Sequence, residues 1–116
     1  IEKFSFGELI ELKQGDVFAS NFIEGILKAS SLVHVDLSND GVQVEKIMSL
    51  IDKKKDVVIA FEGGSQARDK VEWMVKYGKK PIRPYFEELA KDNSYKISII
   101  NEYPSLTILS NNRCIF

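Results

Sequence analysis

The sequence is poor in the residues that most often build metal and redox sites. In 116 residues it has one cysteine, Cys114, and one histidine, His34. A lone cysteine closes no disulfide within the chain and supplies no multi-cysteine metal framework. A lone histidine excludes any site that needs two. Neither sign of charge dominates, with 16 Lys plus Arg against 17 Asp plus Glu and a formal net charge of −1. That balance argues against duplex nucleic acid or an anionic membrane surface as the main partner, because proteins that bind either normally carry a basic excess. No apolar run approaches the roughly 18 residues of a membrane span, and the opening residues do not read as a signal peptide. The expectation is a cytoplasmic chain with no membrane partner. It starts at Ile1 rather than at a methionine, so processing or excision from a longer protein is expected.

What the sequence does contain suits one ordinary core. It is 44% hydrophobic and 28% charged, and roughly 100–150 residues make one domain, so residues 1–116 read as a single unit. The opening segment, residues 4–13, is ambiguous between a strand and a frayed helix. Over residues 17–29, Ala19, Phe22, Ile23 and Ile26 fall at i, i+3, i+4 and i+7, one face of a helix. Leu32-Val33-His34-Val35-Asp36-Leu37 is a strand stopped by Ser38-Asn39-Asp40-Gly41. Val44, Ile47, Met48 and Ile51 mark a second helix, followed by Lys53-Lys54-Lys55, a basic run that complements a helix C-terminus.

Val57-Val58-Ile59-Ala60-Phe61 is apolar without alternation, the pattern of a strand buried on both faces. Glu62-Gly63-Gly64-Ser65 breaks it. A third helix follows, with Ala67, Val71, Met74 and Val75 inward and Gly78 as its C-terminal cap. Residues 80–86 read as a strand end or edge because of Pro81 and Pro84, and a short helical piece spans 87–91. Two closing strands, 97–100 and 106–109, flank a turn at Tyr103-Pro104-Ser105. Helices alternating with apolar strands predict an α/β fold. In detail this is a doubly wound, Rossmann-like domain with a mostly parallel sheet and an antiparallel C-terminal edge.

In open parallel sheets, ligands bind beyond the carboxyl ends of strands, where loops enter helix N-termini. Two such loops are present, after Leu37 and after Phe61. In the second, Gly63 and Gly64 let the backbone come close to a ligand. Their N–H groups and the next helix N-terminus can face an anion, with Ser65 as N-cap and hydroxyl donor. Arg68, one turn on, can fork onto a phosphate or carboxylate. The same residues also make sense as a tight turn, a cap and a surface charge. There is no Gly-Lys-Ser/Thr of a P-loop and no third glycine of a Gly-x-Gly-x-x-Gly fingerprint.

The run Val57-Val58-Ile59-Ala60-Phe61-Glu62-Gly63-Gly64-Ser65, then Lys70-Val71-Glu72, then Lys76-Tyr77-Gly78-Lys79-Lys80-Pro81-Ile82, resembles the end of a SLOG-type Rossmann domain. That superfamily includes cytokinin-activating phosphoribohydrolases, DNA-processing single-strand loaders and the ligand-sensing domains of melastatin TRP channels. The resemblance implies that Gly63, Gly64 and Ser65 hold the phosphate or ribose of a nucleotide derivative. It covers roughly residues 56–85. The hydrolase members continue Gly-Gly-x-Gly-Thr-x-x-Glu, whereas this chain has Gln66 and Ala67 at the fourth and fifth positions, and Glu72 is displaced by two. Those departures bear on catalysis more than on binding. Asp16, Phe22 to Ile26 and Ser30 to Val35 are similar, more weakly, to the helix and strand of TIR and nucleoside deoxyribosyltransferase domains. Glu62-Gly63 also resembles a Toprim start, but no Asp-x-Asp pair follows a later strand to hold magnesium.

Asp36 and Asp40 flank the first strand end and Glu62 the second. Such carboxylates can reach ribose hydroxyls or act as acid and base, and they can equally cap helices or face water. Glu72 lies on a helix side that suits solvent. His34, mid-strand, is expected to be buried and hydrogen-bonded, and Trp73 with Tyr77 to serve a core or partner interface. The expected function is binding of a small nucleotide-derived ligand at Gly63-Gly64-Ser65, with Arg68 neutralising phosphate and Asp40, Asp36 or Glu62 on the ribose. No cofactor or metal is required in that reading. The first alternative is cleavage of an N-glycosidic bond, with Glu62, Asp36 or Glu72 as the catalytic carboxylate. The second is an assembly module, a homo-oligomer or fused partner domain, binding through Phe4, Phe6 or Tyr103.

Overall fold

The computed structural model of the chain describes residues 10, 12, 14–18, 22–29, 31–51, 56–92, 94–102 and 104–111. The expectations for residues 4–9, for Lys53-Lys54-Lys55, for Tyr103 and for Cys114 lie outside them. Four runs rich in β-branched residues form one sheet: β1 (Leu32–Val35), β2 (Val58–Glu62), β3 (Lys96–Ile100) and β4 (Leu106–Ser110). Among the described residues there are five helices, α1 (Phe22–Ala29) before the sheet and α2 (Gly41–Ser49), α3 (Gln66–Asp69), α4 (Glu72–Lys76) and α5 (Arg83–Ala90) between its strands. The fold is α/β with a single open sheet.

The strand order is β1-β2-β4-β3. β1 and β2 are parallel, with Val33 opposite Ile59 and Val35 opposite Phe61. The two other pairings, β2 with β4 and β4 with β3, are antiparallel. The expected mostly parallel sheet is therefore corrected to a mixed one, while the C-terminal hairpin is present. The reason lies in the closing connection. β3 runs in the direction of β1 and β2, but its short turn sends β4 back between β3 and β2. This brings the β3–β4 turn to the same end of the sheet as the loops that follow β1 and β2.

Odd-numbered strand positions make the core. Val35, Ile59, Phe61 and Leu109 pack with Val44, Ile47 and Met48 of α2, with Ile82 and Phe86, and with Leu27 of α1. The Phe61 and Phe86 rings lie 5.8 Å apart at 46°, a tilted contact within the favourable range for aromatic pairs. On the opposite face Leu32, His34, Ser98 and Ile100 are exposed, and Val58, Ala60 and Ile108 are half-buried. β2 thus alternates despite its unbroken apolar sequence, and the expected burial on both faces is corrected. His34 is exposed for the same reason, since it sits on an edge strand between two core-facing valines.

Two further expectations change. The third helix is broken into α3 and α4 at Val71, whose backbone is extended (φ −62°, ψ 154°). Of the four residues expected to face inward, Ala67 and Val75 are therefore exposed, Val71 is half-buried and Met74 is buried. The break leaves Asp69 free to accept from the backbone N–H of Ile82 at 2.8 Å and of Arg83 at 2.9 Å. Those are N–H groups at the start of α5, so residues 83–86 are helix rather than strand. Pro84 falls in the first turn of α5, where a missing N–H costs nothing. Gly78 does end α4: at φ +60° it donates to Val75 O, and Lys79 donates to Met74 O at 2.8 Å, a Schellman closure.

Candidate functional site

The loops after β1 and β2 and the β3–β4 turn meet over one end of the sheet. Each is held by internal hydrogen bonds. Asn39 is fully buried. Its amide donates to Val35 O at 3.0 Å and Glu62 O at 2.8 Å, and its Oδ1 accepts from the Leu37 N–H at 3.3 Å. It therefore ties the ends of both parallel strands together. Asp40 accepts from the Gln43 N–H at 2.9 Å and caps α2. Its carboxylate serves the helix, and it is not among the residues lining the cleft described below.

The glycine loop turns toward the sheet. Gly63 and Gly64 have φ of +107° and +117°, a region L-residues rarely adopt. A Cβ on Gly64 would collide with Thr107 Oγ1. The Gly63 N–H donates to Ser105 O at 3.1 Å, and Thr107 Oγ1 donates to Gly63 O at 2.8 Å. The Ser65 N–H donates to Ser105 Oγ at 3.4 Å. The Ser65 hydroxyl oxygen accepts from the Arg68 N–H at 3.0 Å, the N-cap of the four-residue α3. Two of the loop N–H groups that an anion would use are thus engaged by the β3–β4 turn. Ser105 supports this with a left-handed backbone at φ 71°, strained for a non-glycine residue.

Arg68 is the buried charge of the site, with 5% of its surface exposed. Its Nε donates to Glu62 Oε2 at 2.6 Å and its Nη2 to Glu62 Oε1 at 2.8 Å, a two-pronged pair. Nη2 also donates to Asn39 O at 3.1 Å. Nη1 is buried with no hydrogen-bond partner among the described residues. The guanidinium carbon lies 5.2 Å from the centre of the Trp73 ring, within cation–π reach.

Beside this pair opens a cleft of about 460 Å³ lined by Asp36, Leu37, Ser38, Glu62, Arg68, Val71, Trp73 and Pro104. That volume lies within the range of roughly 300–1,000 Å³ typical of small-molecule sites. The structure brings Asp36, Glu62 and Arg68 to one place. Gly63, Gly64, Ser65 and Asp40 are not among its lining residues, nor is Glu72, exposed on α4. Sequence reasoning missed Trp73 as a cleft residue and Asn39 as the brace. A break in the third helix was the signal needed for Trp73, and a buried asparagine at a strand end for the other. Among the described residues no group of three or more His, Cys, Asp or Glu stands where it could hold a metal ion, and no helix is long and apolar enough to cross a membrane.

No family model matches the chain, and no match emerges among curated proteins or solved structures.

Proposed function

We propose that the chain is a Rossmann-like domain that binds a small nucleotide-derived ligand in the cleft above β1 and β2, as a cytoplasmic sensor or regulatory domain. The observation that carries this reading is the Arg68–Glu62 pair, its guanidinium buried and set over the Trp73 ring, at the ends of the two parallel strands. Buried charges held this tightly are costly, and a buried arginine donor without a partner among the described residues calls for a reason beyond stability. In this reading the flat base lies against Trp73 and Val71. The ribose hydroxyls donate to Asp36 and Glu62, and Arg68 fixes Glu62 in the cleft wall through their two hydrogen bonds. The resemblance to SLOG-type domains points to the same end of the sheet, with the glycine loop shaping the cleft wall through Arg68.

A second reading, cleavage of an N-glycosidic bond, is favoured by the two carboxylates on one cleft wall. Glu62 already accepts from Arg68 at both oxygens, which leaves Asp36 as the carboxylate free to approach an anomeric carbon.

The test is a thermal-shift screen with adenosine, AMP, ATP, NAD, ADP-ribose and cyclic dinucleotides, followed by chromatography of each mixture. A ligand that binds only the folded chain stabilises it by about 2.7 kcal/mol at a hundred times its Kd. The expected result is a rise in Tm for at least one compound, lost in Trp73→Ala and Arg68→Met, with the compound recovered intact. Free base in the mixture, abolished by Asp36→Asn, selects the second reading. No shift with any compound counts against both and favours the assembly module.

A further inference from the structure

The geometry points to a cleft that selects nucleosides over nucleotides: it accepts the base and ribose and disfavours the phosphate. This inference rests on the ligand class proposed above and refines it.

The charges lining the cleft are Asp36, Glu62 and Arg68, one cation against two carboxylates. The cation is already matched, because both Glu62 oxygens accept from Arg68. Asp36 is exposed beside them. A phosphate entering this space would meet an uncompensated carboxylate. Arg68 Nη1, the guanidinium nitrogen without an acceptor among the described residues, is buried and out of its reach.

The loop that would otherwise bind phosphate faces elsewhere. The N–H groups of Gly63 and Ser65 donate to Ser105, and the Ser65 hydroxyl oxygen accepts from the Arg68 backbone. α3 is four residues long, too short to contribute the field of an extended helix. Arg68 Nη1 has no acceptor among the described residues but is itself closed off from solvent, so it offers an incoming phosphate no contact. The neutral flat surface that lines the cleft is Trp73, against which a nucleobase can stack.

The experiment is titration calorimetry with adenosine, guanosine, cytidine and uridine, each beside its 5′-monophosphate and 5′-diphosphate, at low and at physiological salt. For whichever base binds, the nucleoside is expected to bind about three- to tenfold more tightly than its monophosphate. That is the size of a like-charge repulsion across several ångströms of partly solvated protein. The diphosphate should be weaker again. Raising the salt should narrow the gap by screening, and Asp36→Asn should narrow it at low salt while leaving the melting temperature within a degree or two. A monophosphate that binds more tightly than its nucleoside overturns the selectivity and leaves the nucleotide-binding reading intact. Failure of every nucleoside and every nucleotide to bind overturns that reading itself, and this inference with it.

Discussion

The loops after β1 and β2 are built from the same parts and do different work. Each leaves the carboxyl end of a parallel strand, passes a capping side chain and enters a helix. Asp40 caps α2 and Ser65 caps α3. Each loop also presses a glycine against a neighbouring segment: Gly41 against Pro81 and Lys80, and Gly64 against Thr107. The first loop launches nine residues of helix whose Val44, Ile47 and Met48 enter the core. The second launches four residues, stops, and devotes its buried side chain to a charge pair. The first loop is architecture, and its brace, Asn39, also holds the second in place through Glu62 O and Arg68 Nη2. A ligand site here needs both: one loop rigid enough to aim the other.

Breaking the second loop at its tightest point should have the largest effect. Gly64→Val places a branched side chain at φ +117° and into Thr107. Overpacking of about 1–3 kcal/mol adds to backbone strain of about 1–3 kcal/mol, enough to unfold a chain of marginal stability. Gly41→Ala meets the Pro81 carbonyl but carries no positive φ, so it should cost less. Denaturant melts of the two variants side by side check the order. A Gly64 variant as stable as Gly41→Ala would mean that the β3–β4 turn yields easily and does not brace the site.

Next comes the residue that joins the loops. Asn39→Ala deletes two donated hydrogen bonds and one accepted one, and leaves Val35 O, Glu62 O and the Leu37 N–H without those partners. At about 1 kcal/mol for each hydrogen bond, a loss of about 3 kcal/mol is expected in urea unfolding. Asn39→Asp keeps the acceptor for Leu37 and loses both donors, so it should recover only a minor part.

Arg68→Met, which keeps much of the buried volume, removes the partner of Glu62. Breaking a fully buried pair costs about 3–5 kcal/mol. Glu62 retains 18% side-chain exposure and can turn to water, so about 2 kcal/mol is expected. The double variant with Glu62→Gln should regain part of that loss, a coupling that a double-mutant cycle measures directly. The surface pair Lys80–Glu45, about half exposed on both sides, sets the contrast: its cycle should show less than about 0.5 kcal/mol.

Local signals were legible where they did not depend on what lay across the sheet. The helix at α1, the periodicity of α2, the β1 and β2 runs, the Gly78 cap and the closing hairpin all came from short-range patterns. Lost were features decided by distant partners. Residues 80–86 look extended because of two prolines, yet a carboxylate from position 69 satisfies N–H groups at the start of a helix there. His34 sits in an apolar strand, yet strand order puts it on an exposed face. The site was half legible. Glu62, Arg68 and Asp36 were chosen from the sequence and do meet. The turning of Gly63 and Ser65 toward Ser105 depended on a hairpin forty residues away in the chain, which no local pattern encodes.

The loop caps, with a smaller effect than Asn39 or Arg68, sharpen the comparison most. Asp40→Ala and Ser65→Ala each remove one cap hydrogen bond, of 2.9 and 3.0 Å, and each should cost about 1 kcal/mol. Their consequences should differ in kind. Asp40 supports α2, whose packing is already secured by the core, so its loss should lower Tm and leave cleft residues unperturbed in amide NMR spectra. Ser65 holds the N–H of Arg68 itself, so its loss should shift the Arg68 Nε and Trp73 Nε1 signals at a similar cost in Tm. Equal stability with unequal spectra identifies the second loop as the adjustable wall of the cleft. If the Ser65 variant leaves both side-chain signals in place, the Glu62 pair alone positions the guanidinium, and the cap belongs to the helix and not to the site.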